Sequence, residues 1–327
     1  MKTGSSPTSR RDFLKAASAT VFSLALPESM LSLFSKNQKA VHIGMITDLH
    51  VDIIHDAAIR FHTFLEEMKK LQVDALFQLG DFAIPKAENL PYIQSFNQAH
   101  QHSFHVLGNH DMDEGFSLEE VVKRYGMPGN YYSVEVGGIQ ILVLDGNDTG
   151  SPRYKSGYHS YVGPKQQAWL RKELEKANKP VLIISHQPIA GIYTIDNAQE
   201  IQRLLSEFSD KILLAINGHA HVDQHVLVGG VNYLHLNSAS YYWVGEKLAH
   251  LSLPEEIHTQ YPSLRFTCPY SDALFGLLTI DPVEKTISLK GKKARWVGPS
   301  PLELGYSIVS PELQKLHVQP QISDREI

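Results

Sequence analysis

From residue 40 onward, short apolar runs alternate with longer stretches whose apolar residues recur every three or four positions. The runs "AVHIGMI" (40–46), "DALFQL" (74–79), "SFHVL" (103–107), "PVLIIS" (180–185) and "KILLAIN" (211–217) predict buried strands. Between them, 56–72 predicts an amphipathic helix with Ile59, Phe61, Phe64, Leu65, Met68 and Leu71 inward. Shorter helices are predicted over 90–100 and 197–208, and another over 164–178 with Pro164 in its first turn. The glycine pairs Gly137-Gly138 and Gly229-Gly230 predict hairpin turns, and 275–281 with 286–291 predicts a further hairpin. Such an alternation confines the chain to the α/β class.

The residues just past each strand are more specific than the strands themselves. After the five runs come Asp48-Leu49-His50, Gly80-Asp81, Gly108-Asn109-His110-Asp111, His186, and Gly218-His219-Ala220-His221. Asn and His are poor strand residues, and in open α/β sheets ligands bind at the carboxyl ends of strands, so these groups are expected to converge. Each has an ordinary alternative taken alone: Asp48 and Asp81 as helix caps, Asn109 as a turn residue, His186 as a core histidine. His219 and His221 alternate on extended chain and so face one side, which suits a metal better than a turn. The chain holds 17 His, and neutral imidazole is the commonest ligand of transition metals. Its single cysteine, Cys268, excludes an internal disulfide and a Cys-rich zinc module. A formal net charge of −5 leaves no basic excess to track a nucleic-acid backbone.

The order D-x-H, GD, GNHD, single His and GHxH, spread over 48–221, resembles the calcineurin-like metallophosphoesterase family, with every element present. The resemblance implies a four-layer α/β/β/α sandwich, two mixed β-sheets face to face with helices outside. It implies one catalytic domain over 40–291, with 292–327 a tail packed on it. By motif it assigns Asp48, His50 and His221 to one metal, Asn109, His186 and His219 to a second, and Asp81 to a bridge between them. His110 is left as the catalytic residue beside the phosphate, protonating the leaving oxygen or stabilising charge. Mixed imidazole, carboxylate and amide donors suit Mn, Fe or Zn, and the implied chemistry is in-line attack on phosphorus by a water activated between two ions.

Departures narrow the branch. Position 84 is Ile, where purple acid phosphatases carry their tyrosine ligand, and GNHD stands where protein Ser/Thr phosphatases have GNHE. The D-x-H start and the "AWL" helix (168–170) look most like the phosphodiesterase branch. A small phosphoester is the expected substrate, with Arg153 and His159 in the loop 146–163 as expected contacts to it. Tyr241, Tyr242 and Trp243 follow a strand near the site and either pack in the core or wall the pocket. "DGNDTG" (145–150) is no calcium loop, because its twelfth position is Ser156 rather than Glu. The remaining alternative class is a non-catalytic exported protein that binds metal or phosphate.

Residues 1–36 read as an address. Arg10-Arg11, Phe13-Leu14 and Lys15 before the short apolar run 16–26 resemble the twin-arginine export signal of bacteria. That run is too short to span a bilayer stably. The expectation is a folded, metal-loaded enzyme handed to the twin-arginine machinery and working in the periplasm or outside the cell, membrane-tethered if the signal stays uncut.

Overall fold

The computed structural model describes residues 26, 28–35, 37–306 and 318–327. Arg10, Arg11 and the apolar run through residue 25 lie outside the described residues. The first half follows the predicted alternation: β1 (Val41–Ile46), α1 (Ala57–Leu71), β2 (Ala75–Gln78), α2 (Leu90–Ala99), β3 (Ser103–His105) and α3 (Leu118–Tyr125). Then come β4 (Tyr132–Val136), β5 (Ile139–Val143), α4 (Pro164–Lys176), β6 (Val181–Ile184), α5 (Ala198–Ser206), β7 (Ile212–Asn217), β8 (Gln224–Val228) and β9 (Val231–His235). The remainder holds β10 (Tyr241–Trp243), β11 (Thr267–Pro269), β12 (Gly276–Asp281), β13 (Thr286–Lys290) and β14 (Arg325–Glu326).

Two mixed six-stranded sheets result, ordered β14-β13-β12-β1-β2-β3 and β4-β5-β6-β7-β9-β8, with β10-β11 as a separate ribbon. Strands β1, β2 and β3 run parallel, as do β5, β6, β7 and β9, so each sheet has a block of carboxyl ends pointing one way. Gly137 and Gly138, with φ of +54° and +80°, form the turn of the β4-β5 hairpin, whose register closes on Val136 and Ile139.

Alternation along the second sheet identifies the layers. Ile141, Val143, Leu182 and Ile184 join one core with Ile43 and Met45 of the first sheet and with Phe61, Phe64 and Phe96 of α1 and α2. Their neighbours Leu142, Val181 and Ile183 turn the other way, onto Leu170 and Leu174 of α4 and Ile201 and Leu205 of α5. The order is therefore helices, sheet, sheet, helices. Both faces of each sheet's centre are covered, and each fully buried Leu, Ile or Phe contributes ~1.5–3 kcal/mol relative to exposure.

Two local readings, in helix α1 and at residues 118–125, differ from the sequence expectation. Helix α1 buries Ala57, Arg60, Phe61, Phe64, Met68 and Leu71, while Ile59 is 69% exposed. The inward stripe is rotated because Arg60 satisfies its guanidinium inside, against Asp56 (2.6 Å) and the carbonyls of Ala239 (3.2 Å) and Tyr270 (2.5 Å). Helix α3 was not expected, although Ser117 and Glu120 form a capping box and Gly126 ends it in the left-handed region. In the stretch 292–327, β14 adds an edge strand to β13, and Ile322 and Ile327 are buried.

Candidate metal centre

The motif residues lie where adjacent strands end. In the first sheet, the loop after β1 is tied to the loop after β2 by Asp48 N–H to the Gly80 carbonyl (3.0 Å) and His50 N–H to that of Asp81 (2.9 Å). In the second sheet, the Gly218 N–H after β7 donates to the His186 carbonyl after β6 (3.1 Å). The sheets are joined at the same point, where His219 N–H donates to Asp48 Oδ2 (3.0 Å) and His186 Nδ1 meets the Leu79 carbonyl (2.7 Å). Among the described residues nine non-glycine positions have positive φ, and five of them are Asp48, His50, Asp81, His219 and His221. Each costs roughly 1–3 kcal/mol of backbone strain, a concentration that marks a functional site.

The fourth residue of GNHD explains the rigidity of this corner. Asp111 is fully buried and accepts from the N–H groups of Gly108 (2.7 Å) and Phe82 (2.8 Å) and from the Tyr125 hydroxyl (2.9 Å). It thereby binds the loop after β3 to the loop after β2. Gly108 is required because a Cβ there would stand 2.1 Å from Asp81 N and Oδ1.

Two ligand clusters result: Asp48, His50 and His221, and Asp81, His186 and His219, each with donor atoms within 4.8 Å of one another. His221 Nε2 stands 3.2 Å from Asp48 Oδ1 and 3.4 Å from His50 Nε2. His186 Nε2 stands 3.2 Å from Asp81 Oδ2 and 3.3 Å from His219 Nδ1. Asp81 Oδ2 is also 3.6 Å from His50 Nε2, so this carboxylate lies between the clusters.

The residues fit cations. His221 turns Nδ1 to the Tyr241 carbonyl (2.8 Å) and His186 turns Nδ1 to that of Leu79, so in each neutral ring the proton sits on Nδ1 and the Nε2 lone pair points inward. Lone pairs facing other lone pairs and carboxylates at these distances call for positive charge between them. Asn109 is 4% exposed and its Oδ1 has no hydrogen-bond partner, an orphaned acceptor that suits a metal.

Electrostatics agree. Burial alone would raise Asp48, but His221 and His186 bring its pKa down to about 2. Burial is likewise outweighed at Asp81, which His186 and His110 hold well below the usual carboxylate range. Burial drives His50 and His219 down to about 3, leaving them neutral ligands at neutral pH. His186 departs from this pattern: Asp81 and Asp48 overcome the opposing effect of burial and raise it to about 10, so without a cation its Nε2 carries a proton, whose place a metal would take.

His110 stands apart from the ligands. Its backbone N–H donates to Asp81 Oδ1 (2.8 Å), and its Nδ1 lies 2.8 Å from Asp113 Oδ2 and 3.0 Å from the Tyr158 hydroxyl. Burial opposes its charge, yet Asp81 and Asp113 raise its pKa to about 9, so it carries a proton at neutral pH. Sequence reasoning missed Asp113 and Tyr158. Asp113, three residues after His110, was the legible signal; Tyr158 had none.

A cavity of about 850 Å³ opens over the centre, lined by His50, Asp81, His110, His219 and His221 and by the aromatic residues Tyr158, Tyr193, Tyr241, Tyr242, Trp243 and Tyr306. Arg153 and His159 are not in its wall. Arg153 turns its guanidinium to the Asp196 carbonyl (2.8 Å) in a separate cleft, and His159 stacks on Tyr154 (4.1 Å between ring centres) and lines a side pocket with Asn109 and Asp113. The loop does reach the centre, but through Tyr158.

Residues 41–223 match the family model of the calcineurin-like phosphoesterases. No curated protein matches the chain significantly. Among solved structures, a dimetal phosphatase from Danio rerio superposes with a TM-score of 0.54 at 15% identity, covering 80% of this chain and 100% of that one. A putative 5'-nucleotidase from Staphylococcus aureus in complex with alpha-ketoglutarate gives 0.47 at 15% identity, covering 85% of this chain and 57% of that one.

Proposed function

Because this chain belongs to the calcineurin-like phosphoesterase family, we propose that it is an exported, metal-dependent hydrolase of phosphoric esters that favours diesters over monoesters. The observation that carries the reading is the pair of buried Asp/His clusters with Asp81 of one reaching within 3.6 Å of His50 of the other, together with the buried, unpartnered Oδ1 of Asn109. Asp48, His50 and His221 would hold one ion, Asn109, His186 and His219 the other, with Asp81 between; nitrogen and oxygen donors together suit Mn, Fe or Zn. Bound there, two such ions supply Lewis-acid polarisation of the phosphoryl oxygens and a nucleophile from water near neutral pH.

The chain's own residues do the rest. His110, held at Nδ1 by Asp113 and Tyr158, donates a proton to the departing ester oxygen. Asp113 and Tyr158 fix the imidazole's orientation, and Asp81 and Asp113 keep it charged.

The preference for diesters rests on charge. The cavity wall holds Asp52, Asp113 and Glu114 as well as the ligands, and no Lys or Arg among its described residues. Lys86 lies outside the wall, spent on Asp52 (2.8 Å) and Glu114 (2.7 Å). A diester brings one negative charge and a monoester nearly two; beyond His110 the second charge meets no Lys or Arg among the described wall residues, and Asp52, Asp113 and Glu114 repel it. With Mn²⁺, kcat/KM for bis-p-nitrophenyl phosphate should exceed that for p-nitrophenyl phosphate by about tenfold or more, a difference of ~1.4 kcal/mol. A faster monoester would overturn the preference; inactivity on both, with metal bound, would overturn the enzyme itself.

Export is supported by Arg10, Arg11, Phe13, Leu14 and Lys15 standing in register before an apolar run. Replacing Arg10 and Arg11 together with Lys should strand the protein in the cytoplasm of a host with a twin-arginine pathway. Unchanged fractionation would remove this part of the proposal.

A further inference from the structure

The cavity is far larger than a phosphoryl group needs, and beyond the metal ligands its wall is aromatic. Tyr193 and Trp243 are 49% and 43% exposed, and both face this space, so they present ring surface to whatever enters. Tyr193 holds a positive φ of 50°, strain that a non-glycine residue tolerates where its placement matters. Behind them the wall is braced. The Tyr242 hydroxyl bonds to that of Tyr306 (3.3 Å), their rings meet edge to face at 5.4 Å, and the Tyr193 hydroxyl joins the same pair. Trp243 packs on Phe266 at 5.7 Å, and its backbone pairs with Thr267.

The tyrosine hydroxyls are thus engaged with one another, which leaves ring faces as the chemistry on offer. No described Lys or Arg is present to hold a second phosphate or a carboxylate. We infer that Tyr193, Tyr242, Trp243 and Tyr306 form a subsite for an uncharged, planar aromatic group on one ester arm, gripped by stacking on Trp243 and Tyr193. This rests on the phosphoesterase reading above and specifies its substrate class: a monoanionic diester carrying a flat ring, either a simple aryl group or a nucleobase.

Three monoanionic ligands separate the possibilities: methyl methylphosphonate, methyl phenylphosphonate and adenosine 5′-methylphosphonate. Their affinities for the Mn²⁺-loaded full chain are read both as competitive inhibition of bis-p-nitrophenyl phosphate hydrolysis and as quenching of tryptophan fluorescence, with Trp243→Phe assigning the signal. Ring-bearing ligands should bind roughly tenfold or more tightly than the methyl compound. Trp243→Ala and Tyr193→Ala should each lower that advantage severalfold. Whichever of phenyl and adenosyl binds more tightly identifies the source of the ring. Equal binding of all three ligands, or a ring advantage that survives in both variants, would overturn the inference. Loss of metal-dependent hydrolysis with a ring preference retained in fluorescence would instead sink the phosphoesterase reading and leave the subsite standing.

Discussion

Asp81→Ala should fold, yet lose its metals and its turnover together. Asp81 Oδ2 stands within reach of both clusters, 3.2 Å from His186 Nε2 and 3.6 Å from His50 Nε2, so its removal takes a ligand from each ion. Lewis-acid stabilisation by such ions is worth several kcal/mol, and ~4 kcal/mol is about 10³-fold in rate, so kcat should fall by at least that factor. The fold has less to lose. The backbone ties of this corner survive the change, because His50 N–H still meets the residue 81 carbonyl and Asp111 still accepts from the Gly108 and Phe82 N–H groups. Metal analysis should find the parent loaded and the variant depleted, and added Mn²⁺ should raise the melting temperature of the parent alone. A variant that binds both ions with parental stoichiometry would refute the bridging role.

His110→Ala should separate chemistry from metal binding. The imidazole's Nδ1 is taken by Asp113 and Tyr158, and neither described cluster includes this residue. Metal content and the Mn²⁺-induced rise in melting temperature should stay near parental values, while kcat falls about 10²–10⁴-fold, the usual range for a lost general acid. The loss should shrink for substrates whose leaving group needs no proton, such as p-nitrophenolate, compared with alkyl leaving groups. Equal losses on both would leave His110 a charge stabiliser rather than a proton donor. Metal depletion in this variant would overturn its assignment altogether.

Much of the site was legible because its parts are chemically irreplaceable. Carboxylates, imidazoles and an amide at strand ends serve few purposes in that order, and Asp48, His50, Asp81, His186, His219 and His221 form the two clusters, while Asn109 is buried next to His110 in the chain. The supporting residues were not legible. Asp111 could be counted as part of GNHD, but its bonds to Gly108, Phe82 and Tyr125 depend on how two loops meet. In the loop after β5, Arg153 and His159 carried the chemically prominent side chains, yet Tyr158 faces His110, since the turn's conformation selects which neighbour points inward. The same holds for Arg60, whose burial depends on the carbonyls of Ala239 and Tyr270, roughly two hundred residues away.

The sequence alone determined the fold class, the strand ends that carry ligands and the donor types there, because hydrophobic periodicity and side-chain chemistry are local properties of the chain. Tertiary structure decided the rest: that His186 and His219 of one sheet meet Asp81 of the other, that Asp113 and Tyr158 hold His110, and that an aromatic wall with no Lys or Arg among its described residues surrounds them. Those relations span distant segments, and their distances are fixed only when two sheets close on a common core.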